Sequence, residues 1–549
     1  MPTSKLAKRV WFLLLLAIAA FYLYGLGALP LLGPDEPRYA QVAREMLQRR
    51  DLITPTLGGF PWFEKPALLY WLMMASYRIF GVNEFSARLG PALCGLITAA
   101  FLWWLARNIE RLSAEAPEGN EFAQWSVLVF LSSLGTIAFS RAASFDIVLT
   151  MTLTGALSFF FVWHLRQSRG ATGKNSVALL AGFYFFVGLS LLAKGLVGAV
   201  LTFAIVCVYL LIRREFPSRA LLVSLLWGIP VILIVAGSWY GPMIQRHGWL
   251  FIDQFIIKHH FSRFLTNRYH HPQPFYFYVP ILALISLPWV AFLVASFASV
   301  RWREWRAETA MARTRLFWLV SIVVVVLLFS VSGSKLPAYI VPALPGTALL
   351  VAERVIFFRR SQRGLKVIQL TAVMFLLGGV GVIVYSVLDV AGHKWCAMLI
   401  VLACFAVGAF GLIRPRQRFV ALQLFGLASI IVSAIALHCS GPVAARESVR
   451  DLLSAADARG YRNARLVGLH TVDRSAEFYA AGRVVYQPDG EPVKFEGAGD
   501  VAAFARNAGG IVLCFVPLEF ESQLKSYPGI ESELVGSNGK VSLWAVKAR

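Results

Sequence analysis

Acidic and basic residues that could do chemistry follow the first apolar stretch of the chain. Asp35 and Glu36 lie between two prolines, which restrict the backbone of this acidic pair. Glu64 and Lys65 come later in the same polar segment, directly before another proline. A partly desolvated carboxylate at a membrane surface can act as a general base or orient a nucleophile. The alternative is that two acids mark the point where an apolar helix meets water.

Further charged residues stand at the ends of later apolar runs. Asp146 begins one run, where it is either a second acid of a site or the N-cap of a helix. Lys194 ends another run, and snorkelling of its ammonium group to the membrane surface is the simpler interpretation there. Lys335 lies between two runs and adds one more cation.

A polar segment at about 241–274 contains paired histidines and several cations. His259 and His260 are adjacent and lack the ligand spacing of a zinc signature, so an exposed interfacial role is the simpler interpretation. Arg263 follows close behind, and its guanidinium group suits a phosphate. If these acids and cations meet at one membrane surface, the cations would neutralise a lipid-linked phosphate. The carboxylates would orient or deprotonate an acceptor.

The composition excludes a compact soluble enzyme, a disordered chain and a disulfide scaffold. Of 549 residues, 58% are hydrophobic and 15% are charged, whereas soluble domains average roughly 45–50% and about 25%. The formal net charge of +22 would suggest a nucleic-acid partner in a soluble protein. In a membrane protein, basic cytoplasmic loops give the same charge, and no nucleic-acid partner is expected.

The chain is predicted to be a polytopic α-helical membrane protein, because a helix of about 20 apolar residues crosses a bilayer core. About thirteen stretches are candidates for such spans. They are 11–32, 89–106, 124–140, 145–165, 176–193, 195–212, 219–240, 275–299, 316–333, 338–356, 367–389, 394–413 and 418–440.

The distribution of basic residues sets the expected orientation. Lys5, Lys8 and Arg9 precede the first stretch and place the N-terminus in the cytoplasm. Alternating sides from there puts the later basic loops on the same cytoplasmic side. An odd number of spans then places the C-terminal tail on the opposite side.

Two segments outside the spans are expected to fold. The first outward loop, about 33–88, contains amphipathic or aromatic stretches at 40–50 and 68–80, which suit interfacial helices. The tail, 442–549, has short β-type runs at 465–470, 483–487, 510–517 and 540–546, together with two helix-like stretches and Gly turns. It is predicted to be a small α/β domain. The predicted domains are therefore a transmembrane domain at 1–441 and a periplasmic α/β domain at 442–549.

Several of these motifs resemble a known family over roughly residues 10–345. Pro34-Asp35-Glu36-Pro37-Arg38-Tyr39-Ala40 and Phe63-Glu64-Lys65-Pro66 are similar to the first periplasmic loop of bacterial family-39 glycosyltransferases of the GT-C fold. Leu192-Ala193-Lys194-Gly195 and Lys335-Leu336-Pro337-Ala338-Tyr339 are similar to later motifs of that family, in the same order.

The resemblance implies an inverting transfer at the periplasmic face of the bacterial inner membrane. The donor would be a sugar, 4-amino-4-deoxy-L-arabinose, on undecaprenyl phosphate, and the acceptor would be lipid A. Membrane lipids would be further partners. The sequence requires no cofactor, although family members can bind a divalent metal such as zinc.

The resemblance also implies a role for each residue that matches a motif. Asp35 would be the catalytic acid of the first loop, with Glu36 beside it. Asp146 would match the acid of the family's second loop, although this chain has Ile147 at the next position, where family members can have a proline. The residues expected at the lipid phosphate are Lys65, Arg263 and Lys335, and those expected at a metal are Glu64 and His260.

Other functions remain open from the residues alone. A family-39 enzyme could carry another sugar, or use a protein or glycolipid hydroxyl acceptor from which Asp35 must take a proton. A transporter or flippase for a lipid-linked precursor would place its binding groups near the bilayer midplane, often within repeated halves, and the sequence shows no repeat. A membrane scaffold with a periplasmic binding domain would explain the tail but not the first-loop motif.

Overall fold

The computed structural model describes residues 5–113, 120–170, 174–262, 273–300, 305–361, 363–387, 394–414 and 416–549. Within these ranges, ten helices are long and apolar enough to cross a membrane, or eleven if one bent pair forms a single span. The prediction of a multi-pass α-helical membrane protein is confirmed.

The helices before residue 300 lie in the first loop and in eight of the predicted apolar stretches. They are α1 (Lys5–Leu23), α2 (Asp35–Arg49), α3 (Leu68–Phe80), α4 (Glu84–Leu112), α5 (Glu121–Ser132), α6 (Leu134–Ser140), α7 (Phe145–Gln167), α8 (Lys174–Lys194), α9 (Leu196–Arg213), α10 (Arg219–Phe251), α11 (Tyr278–Ile285) and α12 (Val290–Ala298). A π-helical segment, Ile252–Ser262, continues α10, and a 3-10 turn, Phe275–Phe277, precedes α11.

The later helices complete the spans and the tail. They are α13 (Ala310–Ser330), α14 (Leu344–Ser361), α15 (Leu365–Val387), α16 (Lys394–Ile413), α17 (Arg418–Cys439), α18 (Gly441–Arg446), α19 (Arg450–Ala458), α20 (Ser475–Tyr479), α21 (Ala498–Ala508) and α22 (Glu521–Ser526). A 3-10 helix, Pro337–Ala343, leads into α14.

The expected number of thirteen spans is too high for the described residues, for three local reasons. The stretch 11–32 is helical only as far as Leu23, where α1 ends. The stretch 124–140 is bent by 64° between α5 and α6. The stretch 275–299 is divided into α11 and α12, because the helix stops before Pro288.

The chain divides into two compact units. The first, here called the membrane unit, comprises Met1–Tyr24, Phe63–Leu69 and Leu89–Ala436. The second, here called the loop–tail unit, comprises Gly25–Trp62, Tyr70–Arg88 and Leu437–Arg549. The sequence prediction placed its boundary at 441/442 and kept the first loop with the spans, whereas most of that loop clusters here with the tail.

The tail is built on a mixed five-stranded sheet. Its order is β4 (Lys494–Phe495), β3 (Arg465–Leu469), β5 (Val512–Pro517), β7 (Val541–Ala548) and β6 (Ile530–Ser537). The first three strands are parallel, and β7 runs antiparallel to both β5 and β6.

Side chains alternate across this sheet and form two cores. Leu513 and Phe515 of β5 face a core that includes α19. Val512 and Cys514 of the same strand face another core, formed with α21. Helices therefore cover both faces of the sheet, which confirms the expected α/β fold of the tail.

Candidate active site

The membrane unit contains a pocket at the ends of several apolar helices. Its empty space is about 590 Å³. Two predicted site residues, Glu64 and Lys65, line it. The remaining lining residues are Pro66, Lys194, Val197, His259, Phe329, Ser332, Ser334 and Tyr339.

The helices explain why polar groups collect here. Lys194 is the last residue of α8, Val197 lies in the first turn of α9, and α13 ends two residues before Ser332. The ends of apolar spans lie at the boundary between the bilayer core and water. The pocket therefore lies at a rim of the membrane unit rather than in the middle of its spans.

A partly buried ion pair lies beside this pocket. The ammonium group of Lys194 donates a hydrogen bond to Oδ1 of Asp146, and their side chains are 12% and 13% exposed. The same ammonium lies 4.5 Å from the ring centre of Tyr339, within the range of a cation–π interaction. Lys194 is thus held by a carboxylate and an aromatic face, so snorkelling into water does not describe it.

Asp146 is available for this pair because another residue caps its helix. Ser144 is the N-cap of α7, and its hydroxyl oxygen accepts a hydrogen bond of 3.1 Å from the backbone N–H of Asp146. The N-cap interpretation of Asp146 is therefore wrong. Its carboxylate is directed to Lys194 instead, which joins the start of α7 to the end of α8.

Lys335 lies in the segment that forms one wall of the pocket. Its ammonium donates a 2.8 Å hydrogen bond to the carbonyl oxygen of Ser332, and the residue is 8% exposed. The hydroxyl of Tyr278 donates a 3.2 Å hydrogen bond to the carbonyl oxygen of Leu336, the residue that follows Lys335. Lys335 is not itself a lining residue, but it fixes the turn that supplies Ser332 and Ser334 to the pocket.

The donors expected for a metal form no complete site among the described residues. Glu64 and His259 both line the pocket. The side chain of His260 and all of Arg263 lie outside the described residues. Within the described part of the chain, no group of three His, Cys, Asp or Glu side chains could hold a metal ion. The assignment of Glu64 and His260 as metal ligands therefore stays a prediction.

Asp35 and Glu36, the acids of the first motif, belong to the loop–tail unit, where they begin α2. Glu36 is 9% exposed. Its Oε2 accepts hydrogen bonds from Arg88 Nη2 at 2.7 Å and from the backbone N–H of Leu32 at 2.9 Å. Its Oε1 accepts one from Arg88 Nε at 3.1 Å. Both oxygens of Glu36 are therefore engaged in holding the start of α2.

Arg88 completes this network and was not singled out in the sequence. Besides Glu36, it donates to the carbonyl oxygens of Leu26, Leu29 and Pro30 at 2.7–3.0 Å. One buried guanidinium thus fixes the chain that enters the first loop. The available signal was its position, since a lone arginine in the first turns of an apolar helix needs a carboxylate partner.

Asp35 is in a different situation from its neighbour. Its side chain is 52% exposed, and it accepts a 2.8 Å hydrogen bond from Arg38 one turn later. Arg38 also donates to the Pro34 carbonyl at 2.8 Å and lies 5.3 Å from the ring centre of Trp62. The Asp35 carboxylate is oriented by a fixed cation and remains accessible to a ligand.

Comparison with known proteins gives consistent relationships. Residues 9–264 match the family model for dolichyl-phosphate-mannose-protein mannosyltransferases. An undecaprenyl phosphate-alpha-4-amino-4-deoxy-L-arabinose arabinosyl transferase of Edwardsiella ictaluri is 29% identical over 450 residues, which are 77% of this chain and 76% of that protein. The protein of the same name from Yersinia enterocolitica is 31% identical over 62% of this chain, and the match covers 58% of that relative's length.

Solved structures match nearly the whole chain. The crystal structure of ArnT from Cupriavidus metallidurans bound to undecaprenyl phosphate gives a TM-score of 0.77 at 20% identity, covering 97% of this chain and 98% of that one. The Archaeoglobus fulgidus oligosaccharyltransferase gives a TM-score of 0.50 at 12% identity, covering 97% of this chain and 74% of that one. At these identities the likeness concerns the fold. With the partial family match and the aligned relatives, it shows that this chain is similar in sequence and in fold to the proteins named arabinosyl transferases.

Proposed function

We propose that this protein transfers 4-amino-4-deoxy-L-arabinose from undecaprenyl phosphate to lipid A. The observation that carries the proposal is the pocket at the helix ends, which is lined by Lys65 and by the paired Lys194. The names of its relatives supply the donor and the sugar. The lipid A acceptor follows from the motif resemblance.

The reaction breaks the bond between the sugar C1 and the phosphate oxygen of the donor. An acceptor oxygen attacks C1 from the opposite face, so the configuration at C1 inverts. The donor is a phosphodiester with one negative charge, and a second negative charge develops on the departing phosphate. Preorganised cations stabilise this developing charge more than they stabilise the donor. Lys65 and Lys194 would contact the phosphate oxygens in this arrangement, and Lys335 would keep the adjacent turn in place.

The carboxylates take different roles. Asp146 is a positioning residue, since its contact is with Lys194. Glu36 is a positioning residue as well, because Arg88 and Leu32 engage its oxygens. Asp35 is the candidate for contact with substrate. With an ionised phosphate of lipid A as acceptor, Asp35 would orient the acceptor or stabilise the oxocarbenium-like centre. With a hydroxyl acceptor it would remove the proton.

Two parts of the proposal rest on sequence alone. Arg263 is proposed as a further contact of the lipid phosphate. The protein is proposed to lie in the bacterial inner membrane with its N-terminus in the cytoplasm and both the pocket and the tail in the periplasm. The support for this orientation is the positive-inside pattern, with Arg213, Arg313 and Arg359 at the opposite helix ends from Lys194.

The test is transfer by purified protein in liposomes containing the lipid-linked sugar and lipid A, followed by mass spectrometry of lipid A. Lys65→Ala should lower the rate by about 10²–10³-fold, the typical effect of losing one preorganised donor at a developing anion. Lys366→Ala, which removes a cation from the start of α15, is the matched control and should leave the rate unchanged. Equal rates for both variants would refute the proposed role of the pocket.

A second readout separates transfer from transport. The same liposomes report whether the lipid-linked sugar crosses the bilayer when no acceptor is present. Movement of the donor without any change in the mass of lipid A would refute the transferase and favour the flippase.

A further inference from the structure

A second cavity lies entirely within the loop–tail unit, among residues to which the proposed transfer chemistry assigns no role. It contains about 800 Å³ of empty space. Its walls come from one side of α2, from the turn between β1 (Thr56–Leu57) and β2 (Phe60–Pro61), and from the chain around and after α20. We call it the loop–tail cavity.

The carboxylate of Glu45 organises one wall of this cavity. Its Oε1 accepts hydrogen bonds from the N–H of Gly58 at 2.8 Å and from the Gln41 amide at 3.0 Å. Its Oε2 accepts from the Thr56 hydroxyl at 2.6 Å and from the N–H of Gly59 at 3.1 Å. Since Gly58 and Gly59 have φ of +62° and +84°, glycine is needed for this turn to present two N–H groups to one carboxylate. Glu45 therefore has a structural role.

Two buried oxygen atoms at the cavity need hydrogen-bond donors. Gln41 must turn its NH₂ group toward Glu45, because a carboxylate accepts and does not donate, so the orientation of its amide is fixed. Its Oε1 has no hydrogen-bond partner among the described residues, and the residue is 5% exposed. Oε2 of Glu477 is likewise without a partner in the described part of the chain, and that residue is 1% exposed. Both residues line the cavity.

The charges at the cavity are balanced when Glu477 is ionised. Arg44 and Arg49 line it together with the two carboxylates, Glu45 and Glu477. Arg44 donates a 2.8 Å hydrogen bond to the carbonyl of Phe478 and lies 4.1 Å from the centre of that ring. A neutral ligand is therefore favoured over an ion, and it must offer donors to two acceptors and acceptors to the neighbouring guanidinium groups.

We propose that the loop–tail cavity binds a carbohydrate through its hydroxyl groups. A hydroxyl both donates and accepts, so neighbouring hydroxyls of one sugar ring can satisfy Gln41 Oε1 and Glu477 Oε2 and still accept from Arg44. Buried acceptors that receive hydrogen bonds only from a ligand make the cavity specific for ligands with donors. An analogue without donors would leave these acceptors unsatisfied and would bind more weakly. This inference does not depend on the proposed transferase activity.

The test uses the purified full-length protein in a detergent without a sugar head group. Saturation-transfer NMR with D-glucose should show binding, whereas a fully O-methylated glucoside, which can accept but not donate hydrogen bonds, should not bind. Equal signals from the two probes, or none from either, would overturn the proposal. D-glucosamine should bind more weakly than D-glucose because its ammonium adds charge beside the two arginines. Tighter binding of D-glucosamine would contradict the charge argument and the proposal with it.

Variants tie the signal to the cavity. Glu477→Gln replaces the charged acceptor and should weaken D-glucose binding about tenfold or more, as expected for loss of a charge-assisted hydrogen bond. Gln41→Leu should weaken it as well. The matched control is Glu491→Gln, because Glu491 shares Arg474 with Glu477 but does not line the cavity. Unchanged binding in both Glu477→Gln and Gln41→Leu would refute the site.

A pH titration gives a readout that a purely structural role would not move. Burial raises the pKa of Glu477 to about 7, opposed by Arg474 and Arg38 and supported by Glu491, and Tyr486 faces the same carboxyl. A hydroxyl donates more strongly to the ionised carboxylate, so D-glucose affinity should rise as pH increases through about 7. The rise should be absent in Glu477→Gln. Affinity that does not change with pH in the unmodified protein would overturn the assignment.

The same chemistry could come from a free sugar or from a sugar on a lipid. Nanodiscs that contain or lack a monoglucosyl diacylglycerol separate these sources. Loss of the D-glucose signal in the glycolipid discs would support the cavity and assign it to lipid-linked sugar. Persistence of the signal would support the cavity and assign it to free sugar.

Discussion

Replacing Arg88 should weaken the loop–tail unit more than replacing its ion-pair partner, Glu36. In Arg88→Met, the Glu36 carboxylate stays buried without its guanidinium, and the carbonyls of Leu26, Leu29 and Pro30 lose a donor. In Glu36→Gln, the buried guanidinium keeps those three carbonyl oxygens, which continue to stabilise its charge. The asymmetry follows from the different number of partners on each side of the pair.

The magnitudes follow from these contacts. Leaving one member of a buried ion pair uncompensated costs about 3–5 kcal/mol, which is the expectation for Arg88→Met. Losing one charged hydrogen-bonded contact costs about 1.5–3 kcal/mol, which is the expectation for Glu36→Gln. The double variant should be less destabilised than the sum of the single variants, by about 1–3 kcal/mol, because neutralising Glu36 removes the unpaired charge.

Hydrogen exchange measured by mass spectrometry on residues 25–62 is the appropriate assay, since it reports the free energy of local opening. Transfer activity should be measured on the same samples. Glu36→Gln should retain transfer at temperatures where exchange in this segment stays slow. Loss of transfer in Glu36→Gln with unchanged hydrogen exchange would refute the positioning role and indicate that Glu36 takes part in the reaction. Equal destabilisation by both single variants would refute the asymmetry.

Three further predictions concern other charged groups. Lys194→Met should lower transfer by about 10²–10³-fold; adding Asp146→Asn should recover thermal stability but not transfer, and recovery of both would contradict the role of the cation. The raised pKa of Glu477, about 7, means that the native state binds an extra proton between about pH 4.5 and 7. The free energy of unfolding should therefore fall over that pH range by about 3 kcal/mol relative to that of Glu477→Gln. If the two proteins show the same dependence of unfolding free energy on pH, the raised pKa of Glu477 is refuted. Burial opposes ionisation of Glu215, but hydrogen bonds from His164 and Arg213 outweigh it and lower the pKa of Glu215 to about 2. The stability that ionised Glu215 gives to the folded protein should therefore be complete above about pH 4.5 and lost as pH falls toward 2. Glu215→Gln should not show this loss.

The helices of the first loop could be predicted from the sequence, apart from one boundary. The stretch at 68–80 forms α3 with the same bounds, because its apolar and aromatic residues favour a helix throughout. The amphipathic stretch at 40–50 was expected to begin after Pro37, whereas α2 begins at Asp35. Proline is tolerated in the first turn of a helix, where its missing N–H has no intrahelical partner. Pro37 therefore lies inside the first turn and does not delay the helix.

The strands of the tail were predicted where they are apolar and missed where they are not. β3, β5 and β7 carry continuous buried residues and matched the expected runs. β6 lies at the edge of the sheet, and its sequence, Ile530–Ser537, mixes exposed polar residues with few buried ones. An edge strand pairs with one neighbouring strand and is covered on one face only. Its sequence therefore shows little alternation of apolar and polar residues. The expected strand at 483–487 makes an isolated bridge from Val484 instead.

The partners of the site residues were harder to predict than the residues themselves. Asp146 and Lys194 were both noticed, yet their pairing depends on which helix ends meet, and 48 residues separate them. Glu36 was noticed as an acid beside Asp35, but its burial depends on Arg88, which is 52 residues away. Local patterns identify residues capable of chemistry. Long-range packing decides whether such a residue contacts substrate or supports its neighbours.

The joining of the first loop to the tail has a consequence for how the protein is made. The N–H of Leu31 donates a 2.8 Å hydrogen bond to the hydroxyl of Tyr479, and Arg44 reaches the carbonyl of Phe478. The early segment that carries Asp35 leaves the ribosome more than 400 residues before these contacts can form. It must wait, incompletely folded, until synthesis has nearly ended. A premature stop codon late in the gene would therefore disturb the region around Asp35, although every codon for that region had been translated correctly.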